Sequence, residues 1–159
     1  MKTTRIVAAI TLTAGLGVLV SSSGASATPP TPAPNNPAAG PSVIGTLDGP
    51  AKTKHSGIEL NVRPDTRVRN FTLTYPAGAS SGWHQHPGIV LAVVEQGTVK
   101  REVGCHYELF SVGEAFTEAA PHQVSNPGPE PAVLRITQLY PADVDLSQLR
   151  DDRPAPKCR

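Results

Sequence analysis

Aromatic residues are scarce in this sequence, and its charges nearly cancel. The 159 residues include three Phe, three Tyr and one Trp, and the formal net charge at pH 7 is +1. So few aromatic residues indicate a modest hydrophobic core. The sequence has no basic stripe, which excludes the usual signature of nucleic-acid binding. It also lacks a Gly-rich phosphate loop and a visible Ser-His-Asp grouping, so neither a nucleotide-binding site nor a serine hydrolase is expected.

Proline and glycine, in contrast, are abundant. The chain contains seventeen Pro and fourteen Gly, residues that interrupt helices and mark turns. Short strands are therefore favoured over long helices. The length leaves room for one domain once the ends are set aside.

Residues 1–27 have the features of a secretory signal peptide. Lys2 and Arg5 precede an apolar run over 6–20, and residues 25–27 (Ala-Ser-Ala) supply the small side chains that signal peptidase requires. The alternative is a membrane anchor, but the run is shorter than the roughly 20 residues that a spanning helix needs. We therefore predict a secreted, extracellular protein with no membrane attachment after cleavage near Ala27.

Export affects the interpretation of Cys105 and Cys158, which are the only two cysteines. In an oxidising compartment, two cysteines more often pair than stay free. The sequence thus predicts a disulfide between them. The alternative is two unrelated thiols, and a metal-binding role for either is disfavoured because oxidation would compete with it.

The chain after the signal peptide divides into three predicted segments. Residues 28–41 are rich in Pro and Ala and are predicted to be a disordered linker. Residues 42–141 form the predicted folded domain, and 142–159 form a C-terminal tail. In the tail, only 143–149 has a helical pattern, with Asp143 as a plausible N-cap.

Short strand-like segments, separated by turn residues, recur through the predicted domain. Ile89 to Val94 is a continuous apolar run, which favours a strand buried on both faces. Many short strands without intervening helices predict an antiparallel all-β sandwich or barrel. The predicted strands are 43–47, 58–62, 67–75, 89–94, 98–103, 106–110, 114–118, 122–125 and 132–140.

Three of the five histidines form a candidate metal site. His84 and His86 are separated by one residue, so on a strand both imidazoles project from the same face. Neutral imidazole is a suitable ligand for Zn, Cu, Fe and Ni. His122 begins a later predicted strand and is the third candidate. His55 and His106 are predicted to be surface residues.

The positions of these histidines resemble the cupin superfamily. Its first motif combines two glycines with His-x-His, and its second ends in His, three residues and Asn. The matching residues are Gly78, His84, His86 and Gly97 in the first motif, and Gly113, Pro121, His122 and Asn126 in the second. The resemblance spans roughly 67–140, although the middle of the second motif is shorter than usual. The chain looks most like small secreted bacterial cupins, which have a cysteine in the hairpin between the motifs, as at Cys105.

The resemblance implies a small antiparallel β-barrel of the jelly-roll kind. His84, His86 and His122 would bind a divalent metal ion at its mouth, with Fe, Mn, Zn, Cu and Ni all left open. Where cupins commonly supply a metal-binding glutamate, this chain has Val90. Three His ligands would then remain, as in the cupin thiol dioxygenases. The alternative is that the site is weakened or vestigial.

Two carboxylates, Glu95 and Glu118, lie near the candidate site in the sequence. Glu118 shares strand parity with Phe116, so its side chain would face the cavity as a metal ligand or general base. The alternative is a solvated residue at the rim. Trp83 and Tyr75 are candidate pocket-lining residues, with core packing as the alternative.

Two classes of function are consistent with these residues. The first is a metal-dependent oxidoreductase of the dioxygenase kind that acts on a small molecule. The second is a non-enzymatic module that binds or senses a small ligand or a metal outside the cell, because fold does not determine function and cupins include enzymes, sugar-binding modules and storage proteins. Cupins often pair through their sheets, so the resemblance leaves a homodimer open.

We predict that the mature chain begins at or near Thr28. The small residues before this position fit the specificity of signal peptidase. N-terminal sequencing of material secreted from an expressing cell should read from Thr28. Secreted protein that retains residues 6–20 would contradict the prediction.

Overall fold

The computed structural model describes Ala27 and residues 29–30, 37–48, 51–63 and 65–158. The predicted signal peptide, apart from Ala27, and much of the predicted linker lie outside the described residues. Within the predicted linker, Ala38 and Ala39 pair with Thr74 and Leu73. No helix in the described ranges is both long and apolar enough to cross a bilayer.

Strands dominate the described residues. Every predicted strand is present, and the ends differ from the prediction by no more than two residues. The strands are β1 (Ala38–Ala39), β2 (Val43–Leu47), β3 (Ala51–His55), β4 (Ile58–Val62), β5 (Thr66–Tyr75), β6 (His84–Gln85), β7 (Ile89–Gln96), β8 (Thr98–Val103), β9 (His106–Ser111), β10 (Ala115–Glu118), β11 (His122–Ser125), β12 (Ala132–Pro141) and β13 (Asp151–Asp152).

These strands form two main antiparallel sheets. The larger sheet has the order β1-β5-β12-β7-β10, with β2 also paired to β5, and the second has the order β13-β6-β11-β8-β9. A separate hairpin joins β3 and β4. The predicted all-β fold of the jelly-roll kind is thereby confirmed.

The hydrophobic core draws on residues from both sheets. Strand alternation turns every second side chain inward, as in β12, where Ala132, Leu134 and Ile136 are buried. The buried residues of the core cluster are Tyr75, Ala79, Val90, Ala92, Val94, Val99, Phe116, Val124, Ala132, Leu134 and Ile136.

Strand β7 differs from its prediction. It is buried on one face only: Val90, for example, is 2% exposed, whereas Ile89 and Leu91 on the other face are 52% and 44% exposed. The prediction of burial on both faces was wrong because the outward residues are apolar without being covered. Apolar character alone does not reveal whether another layer packs on a strand.

The helix predicted over 143–149 is reduced to a single 3-10 turn at Leu146–Gln148, and Asp145 caps it rather than Asp143. The Asp145 carboxylate accepts a hydrogen bond from the Ser147 amide at 2.8 Å, and the Gln148 side chain accepts one from the Asp145 amide at 3.4 Å. Leu149 then turns inward and is 4% exposed. The chain continues into β13, so the helix does not extend further.

The tail is attached to the second sheet by hydrogen bonds and by a disulfide. β13 pairs with β6, and the Arg153 amide donates to the Trp83 carbonyl at 2.8 Å. The predicted disulfide is present: Cys105 and Cys158 are bonded, with their Cα atoms 5.6 Å apart. It connects the turn between β8 and β9 to the tail, and it is compatible with an extracellular location.

We predict that replacing both Cys105 and Cys158 with serine lowers the free energy of unfolding by about 4 kcal/mol, because the cross-link restricts the unfolded chain. Urea denaturation followed by circular dichroism measures the difference. Wild-type protein treated with a thiol reductant serves as the control and should match the double variant. Equal stability of the oxidised wild type and the double variant would refute the prediction.

Candidate metal centre

Strands β6 and β11 bring two of the candidate histidines together. His84 and His122 are direct partners across this antiparallel pair, so their side chains leave the sheet side by side. His86 lies two residues beyond His84, at the position whose side chain returns to the same face. The three rings cluster as predicted, with centroids 4.3 to 5.3 Å apart.

Each of these rings is oriented by a hydrogen bond from Nδ1 to a backbone carbonyl. The acceptors are Gly82 for His84 at 2.9 Å, Leu149 for His86 at 2.7 Å and Ala120 for His122 at 2.8 Å. Since a carbonyl only accepts, Nδ1 carries the proton in each ring. The lone pair of the neutral imidazole is then on Nε2, the arrangement found in His ligands of metals.

The three histidines have the spacing of a metal-binding group. Their candidate ligand atoms all lie within 4.8 Å of one another. His84 is 5% exposed and His122 is 1% exposed, and the buried Nε2 atom of His122 has no hydrogen-bond partner among the described residues. A buried polar atom without a partner is costly. A cation would satisfy it, so these residues fit a divalent metal ion.

Glu118 is the carboxylate that reaches this group. It lies on β10, is 8% exposed, and its Oε2 atom is 3.3 Å from His122 Nε2 and 3.4 Å from His86 Nε2. Its side chain therefore faces the cavity, as strand parity with Phe116 indicates. The alternative of a solvated rim residue is wrong.

The buried environment shifts the pKa values within this group in opposite directions. Burial, and after it the charge of His122, lowers the pKa of His84 to about 3. Burial also acts to lower the pKa of His122, but the adjacent Glu118 carboxylate outweighs it and raises that pKa. Burial acts to raise the pKa of Glu118, yet His122 and His86 hold it far below its usual range. His84 is therefore neutral near pH 7 and free to bind a cation.

A cavity of about 300 Å³ adjoins these side chains. Tyr75 and Val90 line it, whereas Trp83 borders a different depression beside the disulfide. Burial, and after it the charge of Glu118, raises the pKa of Tyr75, so the phenol stays protonated. The lining residues are Pro30, Pro37, Ala39, Arg69, Phe71, Leu73, Tyr75, Ser81, His84, His86, Val90, Glu118, Ile136, Gln138, Leu146, Leu149 and Arg150.

The other candidates lie away from this site. Glu95 is exposed and forms an ion pair with Arg135 at 2.9 Å. His55 and His106 are exposed, as predicted.

The last residue of the second sequence motif, Asn126, has a structural position. Its side-chain amide donates to the carbonyls of Tyr75, Pro76 and Glu130 at 2.8 to 3.1 Å, and its Oδ1 accepts from the Gly128 amide at 2.9 Å. Asn126 therefore fastens the loop after β11 to the end of β5 instead of lining the cavity.

Sequence reasoning missed the contribution of the tail to the site. The Leu149 carbonyl orients His86, and Arg150 donates to the Ser81 carbonyl at 2.6 Å. A backbone acceptor has no residue signature, so the sequence contains no sign of the first contact. It also missed Arg69, whose position on the inward face of β5 was available from its parity with Phe71.

Comparison with known proteins identifies the domain. The cupin domain family matches residues 71–138, which include all three histidines and Glu118. No curated protein matches the chain.

Two solved structures are similar to parts of this chain. A Cupin 2 conserved barrel domain protein from Salinispora arenicola is 19% identical with a TM-score of 0.42, over 52% of this chain and 66% of that one, slightly less than two thirds of its length. A cupin domain from Bordetella pertussis is 22% identical with a TM-score of 0.40, over 58% of this chain and 94% of that one.

We predict that His84 makes the metal-free protein less stable in acid. Its folded pKa is depressed, so the unfolded chain takes up a proton below about pH 6.5 that the folded chain rejects until about pH 3. The stability is complete above the unfolded pKa and is lost as the pH falls. Between pH 6.5 and 5 the loss from this residue should be about 1.5 kcal/mol.

Urea unfolding of chelator-treated protein at these two pH values measures this loss. The His84→Asn variant, which cannot titrate, is the matched comparison and should lose about 1.5 kcal/mol less than the wild type over the same interval. Identical losses in the two proteins would contradict the assignment.

Proposed function

Because residues 71–138 form a cupin domain, we propose that His84, His86 and His122 bind a divalent metal ion and that the protein acts on a small molecule in the adjoining cavity. The proposed class is a metal-dependent oxidoreductase of the dioxygenase kind. The proposed location is extracellular, after removal of residues 1–27.

One observation carries the metal site: three rings, each held at Nδ1 by a carbonyl, surround a common point. Nε2 of His122 supports it further, because this buried atom has no hydrogen-bond partner among the described residues and a bound cation would satisfy it. Ligands to one ion at about 2.1 Å cannot lie more than about 4.2 Å apart. The candidate ligand atoms of the three histidines lie within 4.8 Å of one another. Small side-chain rotations are therefore enough to bring them to the spacing of ligands to one ion.

The cavity indicates a small substrate with an anionic group. Its volume of about 300 Å³ is at the lower end for ligand pockets. Arg69 and Arg150 both line it. Arg150 is paired with Asp152 at 2.7 Å, whereas Arg69 has no ion pair within the part of the chain that the structure describes. Arg69 instead stacks on Phe71, 4.3 Å from the ring centre, so its charge is available to a ligand.

The metal ion, when bound, supplies a Lewis-acid or redox centre. The chain's own residues hold and enclose the ligand around it. Tyr75 stays protonated because burial raises its pKa, so its hydroxyl remains a hydrogen-bond donor. Phe71 and Ile136 provide apolar walls that exclude water from the ligand.

A non-enzymatic binding module is the second candidate, and the composition of the cavity wall favours it. Among the polar side chains in the wall, Tyr75 stays protonated because burial raises its pKa, and Glu118 contacts the histidines. No described side chain is left over as a free general base. A catalysed reaction would therefore rely on the metal ion for its chemistry. Without such a reaction, the protein only binds its ligand.

We predict that the purified full chain contains about one divalent metal ion and that His84→Ala or His122→Ala abolishes binding, because each removes one of three nitrogen ligands. Elemental analysis after purification without added metal gives the content. The exposed His106→Ala variant is the matched control and should keep the wild-type content. Full metal content in a His84→Ala/His122→Ala double variant would refute the metal site.

The two candidate functions differ in oxygen chemistry. Oxygen consumption by the iron-loaded wild type with small organic anions, absent from His122→Ala, would support the oxidoreductase. Saturable binding of such anions without turnover under any metal would support the binding module.

A further inference from the structure

We propose that Glu118 is a fourth protein ligand of the metal ion, so that the centre consists of three imidazoles and one carboxylate. This inference rests on the metal site proposed above. It assigns a direct metal bond to a side chain on a strand that carries none of the histidines.

The position of Glu118 follows from the register of the larger sheet. β10 pairs with β7, and Glu118 lies directly opposite Val90. Alternate residues of β10 point inward: Phe116 and Glu118 are 6% and 8% exposed, while Ala115 and Thr117, which alternate with them, are exposed. The carboxylate is therefore directed into the cavity by the strand itself.

The distances from this carboxylate match those between two ligands of one ion. Its Oε2 atom is 3.3 Å from His122 Nε2 and 3.4 Å from His86 Nε2. Two ligand atoms bound tetrahedrally at about 2.0–2.1 Å lie about 3.3–3.4 Å apart. A charge-assisted N–H···O hydrogen bond is shorter, at about 2.7–2.9 Å. The spacing therefore fits two ligands of one ion.

Hydrogen-bond geometry leads to the same assignment. Nε2 of His122 has no hydrogen-bond partner in the described ranges, although the carboxylate oxygen is 3.3 Å away. Both rings already donate from Nδ1 to carbonyls. With neutral rings, a cation between the two Nε2 lone pairs and the carboxylate oxygen would form a bond with each of the three atoms.

The charge of Glu118 also favours a cation beside it. The carboxylate is 8% exposed, and burying an ionised carboxylate is unfavourable unless it is paired or bound to a metal. Among the described residues, its only charge partners are His86 and His122. No Lys or Arg of the described chain forms a salt bridge with it.

The partner of Glu118 across the sheet explains the unusual sequence at the first motif. Val90 occupies the position where the resemblance implies a glutamate. Side chains of directly opposed residues are about 4.5–5.5 Å apart at Cβ. A carboxylate on β10 can therefore reach the same side of the cavity as one on β7, so the ligand has moved by one strand.

Four protein ligands have a consequence for the choice of metal. An ion that prefers four ligands, such as zinc, would have no position left for a substrate. An ion that accepts six would keep two open positions facing the cavity. The fourth ligand therefore favours a six-coordinate ion wherever this site binds a substrate directly.

The experiment compares Co²⁺ binding by the chelator-treated full chain and its variants. Glu118→Gln keeps the size of the side chain and removes its charge. We expect it to weaken Co²⁺ binding by more than about 10-fold, the lower end of the loss caused by removing even an outer-shell partner. The visible absorption of bound Co²⁺ should also change, because one oxygen ligand is replaced. The exposed Glu95→Gln variant is the matched control and should bind as the wild type does.

A second variant tests whether weaker binding results from loss of the carboxylate or from a folding defect. Val90→Glu/Glu118→Val moves the carboxylate to the opposite strand, and we expect it to restore Co²⁺ affinity to within about 10-fold of the wild type. Circular dichroism of each metal-free protein checks the fold.

Three outcomes separate the two proposals. Wild-type affinity in Glu118→Gln would overturn the fourth ligand, and so would weaker binding with an unchanged Co²⁺ spectrum, since that marks a residue that only positions the histidines. If the wild type binds no metal, the metal site itself fails.

Discussion

The candidate centre depends on hydrogen bonds between imidazole Nδ1 atoms and backbone carbonyls. A carbonyl accepts only from a protonated nitrogen, so each bond selects the tautomer and turns Nε2 inward. For His84 and His122 the acceptor lies two residues earlier in the chain, at Gly82 and Ala120. For His86 it is Leu149, which is 63 residues away. Two rings are thus set by local backbone geometry, and the third requires the tail to be in place.

Two histidines of this small group have pKa values that shift in opposite directions: the pKa of His84 is lowered and that of His122 is raised. His84 is kept neutral by burial and by the charge of His122, which lower its pKa, while His122 and Glu118 form an ion pair. In the metal-free protein, the charge of Glu118 is therefore balanced by its ion pair with His122. The proposed cation would take over that role without displacing a proton from His84.

The sequence alone predicted most strands and the three histidines, because both follow from period-two patterns that local residues determine. The predictions failed where the outcome depends on a distant partner. The burial of Ile89 depends on whether a layer covers β7, and no residue of the strand encodes this. Strand β13 consists of Asp151 and Asp152, residues with low strand propensity that pair only because β6 offers a free edge. The acceptor of His86 is a backbone carbonyl, which every residue possesses.

The disulfide between Cys105 and Cys158 and the Leu149 contact belong to the same tail. The bond limits how far this segment moves from β6, and the carbonyl of the segment orients a candidate ligand. Two equilibria that share one structural element are thermodynamically linked, and the linkage is reciprocal. If His86 binds the proposed cation, an oxidised tail favours that binding, and the bound cation in turn makes the Cys105–Cys158 disulfide harder to reduce. A bound cation and an oxidising environment would thus both favour the form of the chain in which the disulfide is intact.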